Sequence, residues 1–97
     1  MNKIITILEA RVNEEKWGTL RSAYLAVKVK QLAVMPLQSF LLQMKEDPKL
    51  WRIITVWESM EVLQKMRSSG ETPPGILIFR EADAEPTLSI FEAKEEI

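Results

Sequence analysis

Tyr24 and Arg52 are two side chains of this 97-residue sequence that could act on a ligand. Tyr24 is the sole tyrosine, and its hydroxyl can donate or accept a hydrogen bond. Arg52 lies in the stretch LWRIITVWES among apolar neighbours. A guanidinium there either binds a ligand or forms a structural ion pair with a carboxylate, for which Glu9 and Glu58 are the candidates.

The sequence contains no histidine and no cysteine, which excludes whole classes of site. No Ser-His or Cys-His nucleophilic pair, imidazole metal ligand or proximal haem histidine can form. Disulfides and thiolate chemistry are excluded as well. Carboxylates alone could still build a metal site, but we predict none.

The charge balance and the N-terminus favour a soluble protein that binds no nucleic acid. Thirteen Lys and Arg residues face fourteen Asp and Glu residues, and the net charge is −1, without the basic excess of a polyanion binder. The apolar run at 4–8 is too short for a signal peptide or a membrane span. We therefore expect a single domain over 1–97, in the cytoplasm, with no membrane partner.

Hydrophobic periodicity and turn residues divide the chain into seven elements. Apolar residues recur at helical spacing after Asn13, which is a good N-cap, at Trp17, Leu20, Tyr24, Val27 and Gln31. Ser59 and Thr72 with Pro73 predict the starts of two further helices, and Gly70 the end of the first of these. The predicted strands are 3–11, 37–44, 51–57 and 87–92, and the predicted helices are 13–32, 59–70 and 72–82.

The order β-α-β-β-α-(α)-β predicts an α+β, ferredoxin-like fold with one antiparallel sheet and helices on one face. Alternation along 51–57 places Trp51, Ile53, Thr55 and Trp57 together on one side. The two tryptophans are predicted to lie in the core or in an interface, or to form a pocket wall. Since both sides of two strands are apolar, we expect a homodimer whose sheets face each other.

Three segments resemble the antibiotic biosynthesis monooxygenase family, whose members are dimeric α/β barrels. They are ITILEARV, WRIITVWESMEVLQKMRSSG and AEPTLSIFE, which together cover nearly the whole chain in order. The most specific part is Trp57-Glu58-Ser59, a strand that runs directly into a helix. The resemblance implies the dimeric barrel, and it allows several activities, which include cofactor-independent oxygenation and haem degradation.

The haem-degrading branch of that family uses an Asn, a Trp and a His, and none of the three is present. The Asn position falls near Ala10, the Trp position falls on Met66, and the sequence has no histidine. We therefore expect neither haem degradation nor any cofactor.

The cofactor-independent branch implies an apolar pocket for an activated anthrone or quinol, with a proton acceptor and donors for a developing oxyanion. The family's usual suppliers are Trp, Tyr, Arg and Asn, which here gives Trp17, Tyr24, Arg52, Trp57 and Asn13. We take Tyr24 and Arg52 as catalytic candidates. The predicted pocket residues are Trp17, Tyr24, Trp57, Met66 and Phe79, of which the last two could equally be core.

Two functions are consistent with the sequence. The first is a homodimeric, cofactor-independent monooxygenase that acts on a small aromatic or quinol-type compound. The second is a non-catalytic dimeric module that binds a small hydrophobic ligand or a protein partner, which the lack of a histidine base favours. An RNA-binding sheet of the same topology is disfavoured, because no strand carries a basic and aromatic motif.

Overall fold

The computed structural model describes residues 2–29, 35–68 and 73–97. Its elements follow the predicted order. A 3-10 turn, Glu14–Lys16, precedes the first helix. The strands and helices are β1 Ile4–Arg11, α1 Trp17–Val29, β2 Gln38–Gln43, β3 Leu50–Trp57, α2 Met60–Arg67, α3 Pro74–Glu81 and β4 Thr87–Glu92.

The four strands form one antiparallel sheet in the order β2-β3-β1-β4, which confirms the predicted ferredoxin-like plan. The central pair β1 and β3 is in register over its full length, from Ile4 opposite Trp57 to Arg11 opposite Leu50. Their β-branched and aromatic residues suit a sheet interior. β2 and β4 form the edges.

The helix starts are set by local chemistry close to the predicted positions. Ser59 caps α2, and its Oγ accepts a hydrogen bond from the backbone N–H of Val62. Asn13 precedes the 3-10 turn without a side-chain capping bond. α3 begins at Pro74, one residue after the predicted Pro73. The predicted roles of Gln31, Gly70 and Thr72 lie outside the described residues.

One side of the sheet packs against the helices and contains the core. Alternate β1 residues are buried on this side, and from β3 Trp51, Ile53 and Trp57 join them. α1 contributes Leu20, which is fully buried, and α3 contributes Phe79. The two tryptophans therefore lie in the core of the chain, on the helix side of the sheet.

Trp51 and Trp57 differ in how their indole N–H groups are satisfied. Trp57 Nε1 donates to Thr6 Oγ1 at 3.0 Å, and both residues are buried. Trp51 packs edge-on against Trp17 with ring centroids 6.0 Å apart. Its buried Nε1 has no hydrogen-bond partner among the described residues. The same indole group is thus hydrogen-bonded at one end of β3 and unpaired at the other.

Trp57→Phe is therefore expected to destabilise the chain by about 1 kcal/mol more than Trp51→Phe, although both remove the same atoms. The first substitution leaves the buried Thr6 hydroxyl without its partner, whereas the second removes an unpaired donor. Urea unfolding of the two variants measures the difference. An equal or larger loss for Trp51→Phe would show that its N–H is bonded in solution.

The other side of the sheet is largely apolar, and none of the described helices packs on it. Cross-strand neighbours on this side include Ile7, Ile54 and Phe40 in one row, and Ile5 and Phe91 in another. Phe40 is 45% exposed and Phe91 is 53% exposed. We call this side the outer face.

Candidate functional site

A cavity of about 450 Å³ lies between the helix side of the sheet and the three helices. This volume is within the range of natural small-molecule sites. Its wall is mostly apolar. The sheet contributes Leu8, Ile53, Leu88 and Ile90, while the helices contribute Val27, Leu63, Ile76 and Ile78.

Gly75 allows the first turn of α3 to approach the sheet closely at the cavity wall. A Cβ atom at this position would lie 2.4 Å from Leu8 Cδ1, well inside van der Waals contact. Because Leu8 and Gly75 both line the cavity, any larger residue at 75 would displace the Leu8 side chain and change the cavity shape. Gly75 thus leaves room for the Leu8 side chain at this point of the wall.

A chain of three hydroxyl groups is the main polar feature of the wall. Tyr24 of α1 donates to Ser39 Oγ of β2 at 3.0 Å, and Ser39 Oγ lies 3.4 Å from Thr55 Oγ1 of β3. All three residues are partly buried and line the cavity. Three hydroxyl protons serve two hydrogen bonds, so one proton is left over on Ser39 or Thr55 for a ligand acceptor.

Trp57 contributes its aromatic ring to the cavity wall and does not offer a hydrogen-bond donor to a ligand. Its N–H is used by Thr6, as described above, and this bond fixes the indole orientation. Trp57 and Thr6 both line the cavity, next to Met66 of α2. This part of the wall can therefore pack against a flat ring.

The last turn of α2 brings two cations to the cavity, Lys65 and Arg67. No Asp or Glu is among the described residues that line it. The carboxyls with a shifted pKa lie elsewhere on the surface. Hydrogen bonds from Arg11, Arg80 and Lys94 lower the pKa of Asp47, Glu85 and Glu92, respectively. None of these carboxyls is placed to remove a proton from a molecule in the cavity.

The structure brings together three of the predicted pocket residues, Tyr24, Trp57 and Met66. The other two predicted pocket residues, Trp17 and Phe79, do not line this cavity. Trp17 packs on Trp51 and donates to the Val12 carbonyl at 2.9 Å. Phe79 is fully buried in the core, because the cavity side of α3 is formed by Ile76 and Ile78.

Arg52, the second catalytic candidate from the sequence, does not line this cavity. Alternation along β3 directs it to the outer face, opposite to Trp51 and Ile53. There it forms an ion pair with Glu9, with Nε 2.6 Å from Oε1, which is the structural alternative that the sequence allowed. Asn13 likewise does not line the cavity.

Ser39, Thr6 and the two α2 cations were missed from the sequence. Thr55 was placed on the side of Trp51 and Trp57, and that alternation is the signal that could have identified it. Ser39 carries no comparable signal, because its closeness to Tyr24 depends on how α1 packs over the edge strand. Basic residues in a last helical turn are common for electrostatic reasons, so Lys65 and Arg67 did not stand out.

No known family model matches the chain, and no curated protein matches it. Several solved structures, by contrast, are similar to this chain in fold. SnoaB from Streptomyces nogalater, a cofactor-independent oxygenase, has a TM-score of 0.72 and 11% identity, with 100% of this chain and 98% of that chain covered. A protein of Deinococcus radiodurans, named among the antibiotic biosynthesis monooxygenases, has a TM-score of 0.71 and 15% identity over 97% of this chain and 95% of its own.

A conserved protein of unknown function from Bacteroides thetaiotaomicron gives the same result, with a TM-score of 0.71 and 19% identity over 95% of this chain and 98% of that one. At these identities the similarity establishes the fold. The chain is therefore an α+β, ferredoxin-like protein with the fold of the antibiotic biosynthesis monooxygenases, which confirms the resemblance at that level. No helix within the described ranges is long and apolar enough to cross a membrane.

Proposed function

We propose that this protein is a homodimeric, cofactor-independent monooxygenase that oxidises a small aromatic or quinol-type compound in the cavity. The observation that carries the proposal is an apolar cavity of ligand size with the Tyr24–Ser39–Thr55 hydroxyl chain on its wall. The fold shared with SnoaB, an oxygenase of this kind, supports it.

The reaction that fits this wall converts an activated methylene group and O₂ into a carbonyl group and water. The substrate C–H gives its proton to solvent, and the resulting carbanion passes one electron to O₂. The radical and superoxide combine to form a C–O bond and, after protonation, a hydroperoxide. Loss of the second C–H proton and cleavage of the O–O bond release water. Every electron comes from the substrate, so O₂ is the sole co-reactant.

The protein's part in this reaction is to hold the substrate and to stabilise negative charge on its oxygen. The leftover proton of the hydroxyl chain can be donated to the phenolate or enolate oxygen, where charge develops as the C–H bond breaks. Tyr24 polarises the chain from its far end, since linked hydrogen bonds strengthen one another. Trp57 and the apolar wall keep the ring in place and reduce water around the carbanion.

Oxygen uptake with a panel of anthrones and quinols tests the proposal. We expect uptake above the uncatalysed rate. The double variant Ser39→Ala with Thr55→Val removes both hydroxyls that can carry the leftover proton, so it should lower kcat by up to about a hundredfold, as the loss of an oxyanion donor does elsewhere. Tyr24→Phe should lower kcat by less, because it removes only the bond that polarises the chain. Thr19→Val is the matched control, because Thr19 is exposed on α1 and lies outside the cavity. Uptake that all three variants retain equally would contradict the role of the hydroxyl chain.

A second function, a non-catalytic module that binds a small hydrophobic ligand, is favoured by one observation. The described cavity wall has no carboxylate, and the sequence has no imidazole, so no conventional general base faces the ligand. Binding of the same compounds without any oxygen uptake above the uncatalysed rate would favour this module over the oxygenase.

The homodimer in this proposal is supported by the outer face. Ile5, Ile7, Ile54 and Val56 are only half-buried there, and Phe40, Leu42 and Phe91 are exposed. Exposed apolar patches of this kind are usually covered by a partner. A second copy is the natural occupant, because two-fold symmetry places Ile54 of each copy against the same apolar surface of the other.

A further inference from the structure

Lys65 and Arg67 border the cavity, and neither forms an ion pair with a carboxylate among the described residues. Six other cations, Lys3, Arg11, Lys16, Arg52, Arg80 and Lys94, form ion pairs among the described residues. Glu61 lies four residues before Lys65, a spacing that favours an ion pair along a helix, yet no such pair joins them. Two cations without an ion pair to any described carboxylate therefore border a cavity that has no described acidic residue on its wall.

Helix electrostatics explain only part of this arrangement. Basic residues in the last turn of a helix interact favourably with its dipole wherever they point. Lys65 and Arg67, however, both line the cavity, on either side of Met66. Their aliphatic stems can cover apolar surface while the charged ends stay near water. The result is an apolar cavity with positive charge at its border, in a chain whose net charge is −1.

We propose that the ligand of this cavity is an aromatic carboxylic acid, with its rings in the apolar part and its carboxylate held by Lys65 and Arg67. The hydroxyl chain of Tyr24, Ser39 and Thr55 belongs to other elements, so it remains available for a second polar group of the same molecule, such as a phenol oxygen. This inference rests on the proposed use of the cavity as a ligand site and holds for both functions above. It specifies the chemical class of the ligand, which neither function specifies by itself.

The test compares anthracene-9-carboxylate with its primary amide, which has nearly the same shape and no charge. Dissociation constants come from quenching of tryptophan fluorescence, since Trp57 lines the cavity. The carboxylate is expected to bind about two- to fivefold more tightly than the amide at low salt, a gain typical of exposed charge pairs. The preference should shrink as salt is added, because exposed charges are screened.

The double variant Lys65→Gln with Arg67→Gln is expected to abolish the preference for the carboxylate while amide binding stays unchanged. Its control is Arg21→Gln with Lys49→Gln, two exposed residues outside the cavity, which should retain the preference. Each double variant removes two positive charges, from −1 to −3, so net charge cannot explain a difference. Circular dichroism confirms that all variants are folded.

The outcomes separate this inference from the proposed function. If both compounds bind the wild-type protein equally well, or the control variant loses the preference to the same degree, the carboxylate inference is wrong and the cavity remains a ligand site. If neither aromatic compound binds, the ligand site itself is contradicted, and the inference fails with it.

Discussion

Replacing Phe79 with alanine is expected to lower the free energy of unfolding by about 3–5 kcal/mol. Phe79 is completely buried and packs in the main core cluster between α3, α1 and the sheet. Removing its ring loses the apolar contacts and leaves a space that rigid neighbours cannot close. In a domain of this size, each kcal/mol changes Tm by about 4–8 °C, so Tm should fall by more than about 12 °C.

Leu77→Ala on the same helix is the matched control for Phe79→Ala. Leu77 is 48% exposed, so its truncation should cost far less, within about 1 kcal/mol. Urea unfolding of the wild-type protein and both variants measures the two losses. Similar losses for both residues would contradict the core assignment, and they would return Phe79 to the cavity wall that the sequence predicted.

Phe79 and Met66 show why the cavity could be located only in part from the sequence. Both are large apolar residues at helical spacing, and that pattern identifies the side of a helix that faces the interior. It does not distinguish a packed interior from an open one. The distinction depends on how the three helices spread over the sheet. In α3, Ile78 lines the cavity and its neighbour Phe79 does not, although both side chains are buried.

Which side chains share a side of a strand was predictable for a more local reason. A strand has a side-chain period of two, so the alternation along 51–57 determines which residues share a side. This placed Trp51, Ile53, Thr55 and Trp57 together, as the structure has them. The same alternation directed Arg52 to the opposite side, where the structure also places it. The alternation does not say which side of the sheet packs against the helices. In the structure it is the side that carries Trp51 and Ile53.

The hydroxyl chain could not be predicted, because it joins three elements that are distant in the sequence. Tyr24 and Ser39 are separated by the end of α1, and Ser39 meets Thr55 only through the register of β2 and β3. A shift of that register by one residue would turn Ser39 to the outer face. Ser39 and Thr55 are ordinary strand residues until that pairing is known.

Ile54→Glu is expected to convert the proposed dimer into a monomer. Ile54 lies at the centre of the outer face, directly across from Ile7 of β1 and Phe40 of β2. The nearest cation on this face of β3, Arg52, is already paired with Glu9. A carboxylate at 54 would therefore be buried against the partner without a charge of its own to pair with, which costs about 3–5 kcal/mol for each unpaired group. Two-fold symmetry brings in two such groups per dimer. Sedimentation equilibrium should therefore give 11.2 kDa for the variant and twice that mass for the wild-type protein.

Leu25→Glu makes the same chemical change on the helix side of the molecule, where Leu25 of α1 is 54% exposed, and should leave the dimer intact. A folded Ile54→Glu monomer would also test whether ligand binding depends on the dimer. The residues that line the cavity lie on the helix side of the sheet, so the monomer should still bind an aromatic ligand. A wild-type chain that sediments as a monomer, or a dimer that Leu25→Glu disrupts and Ile54→Glu does not, would contradict pairing through the outer face and point to an interface on the helices.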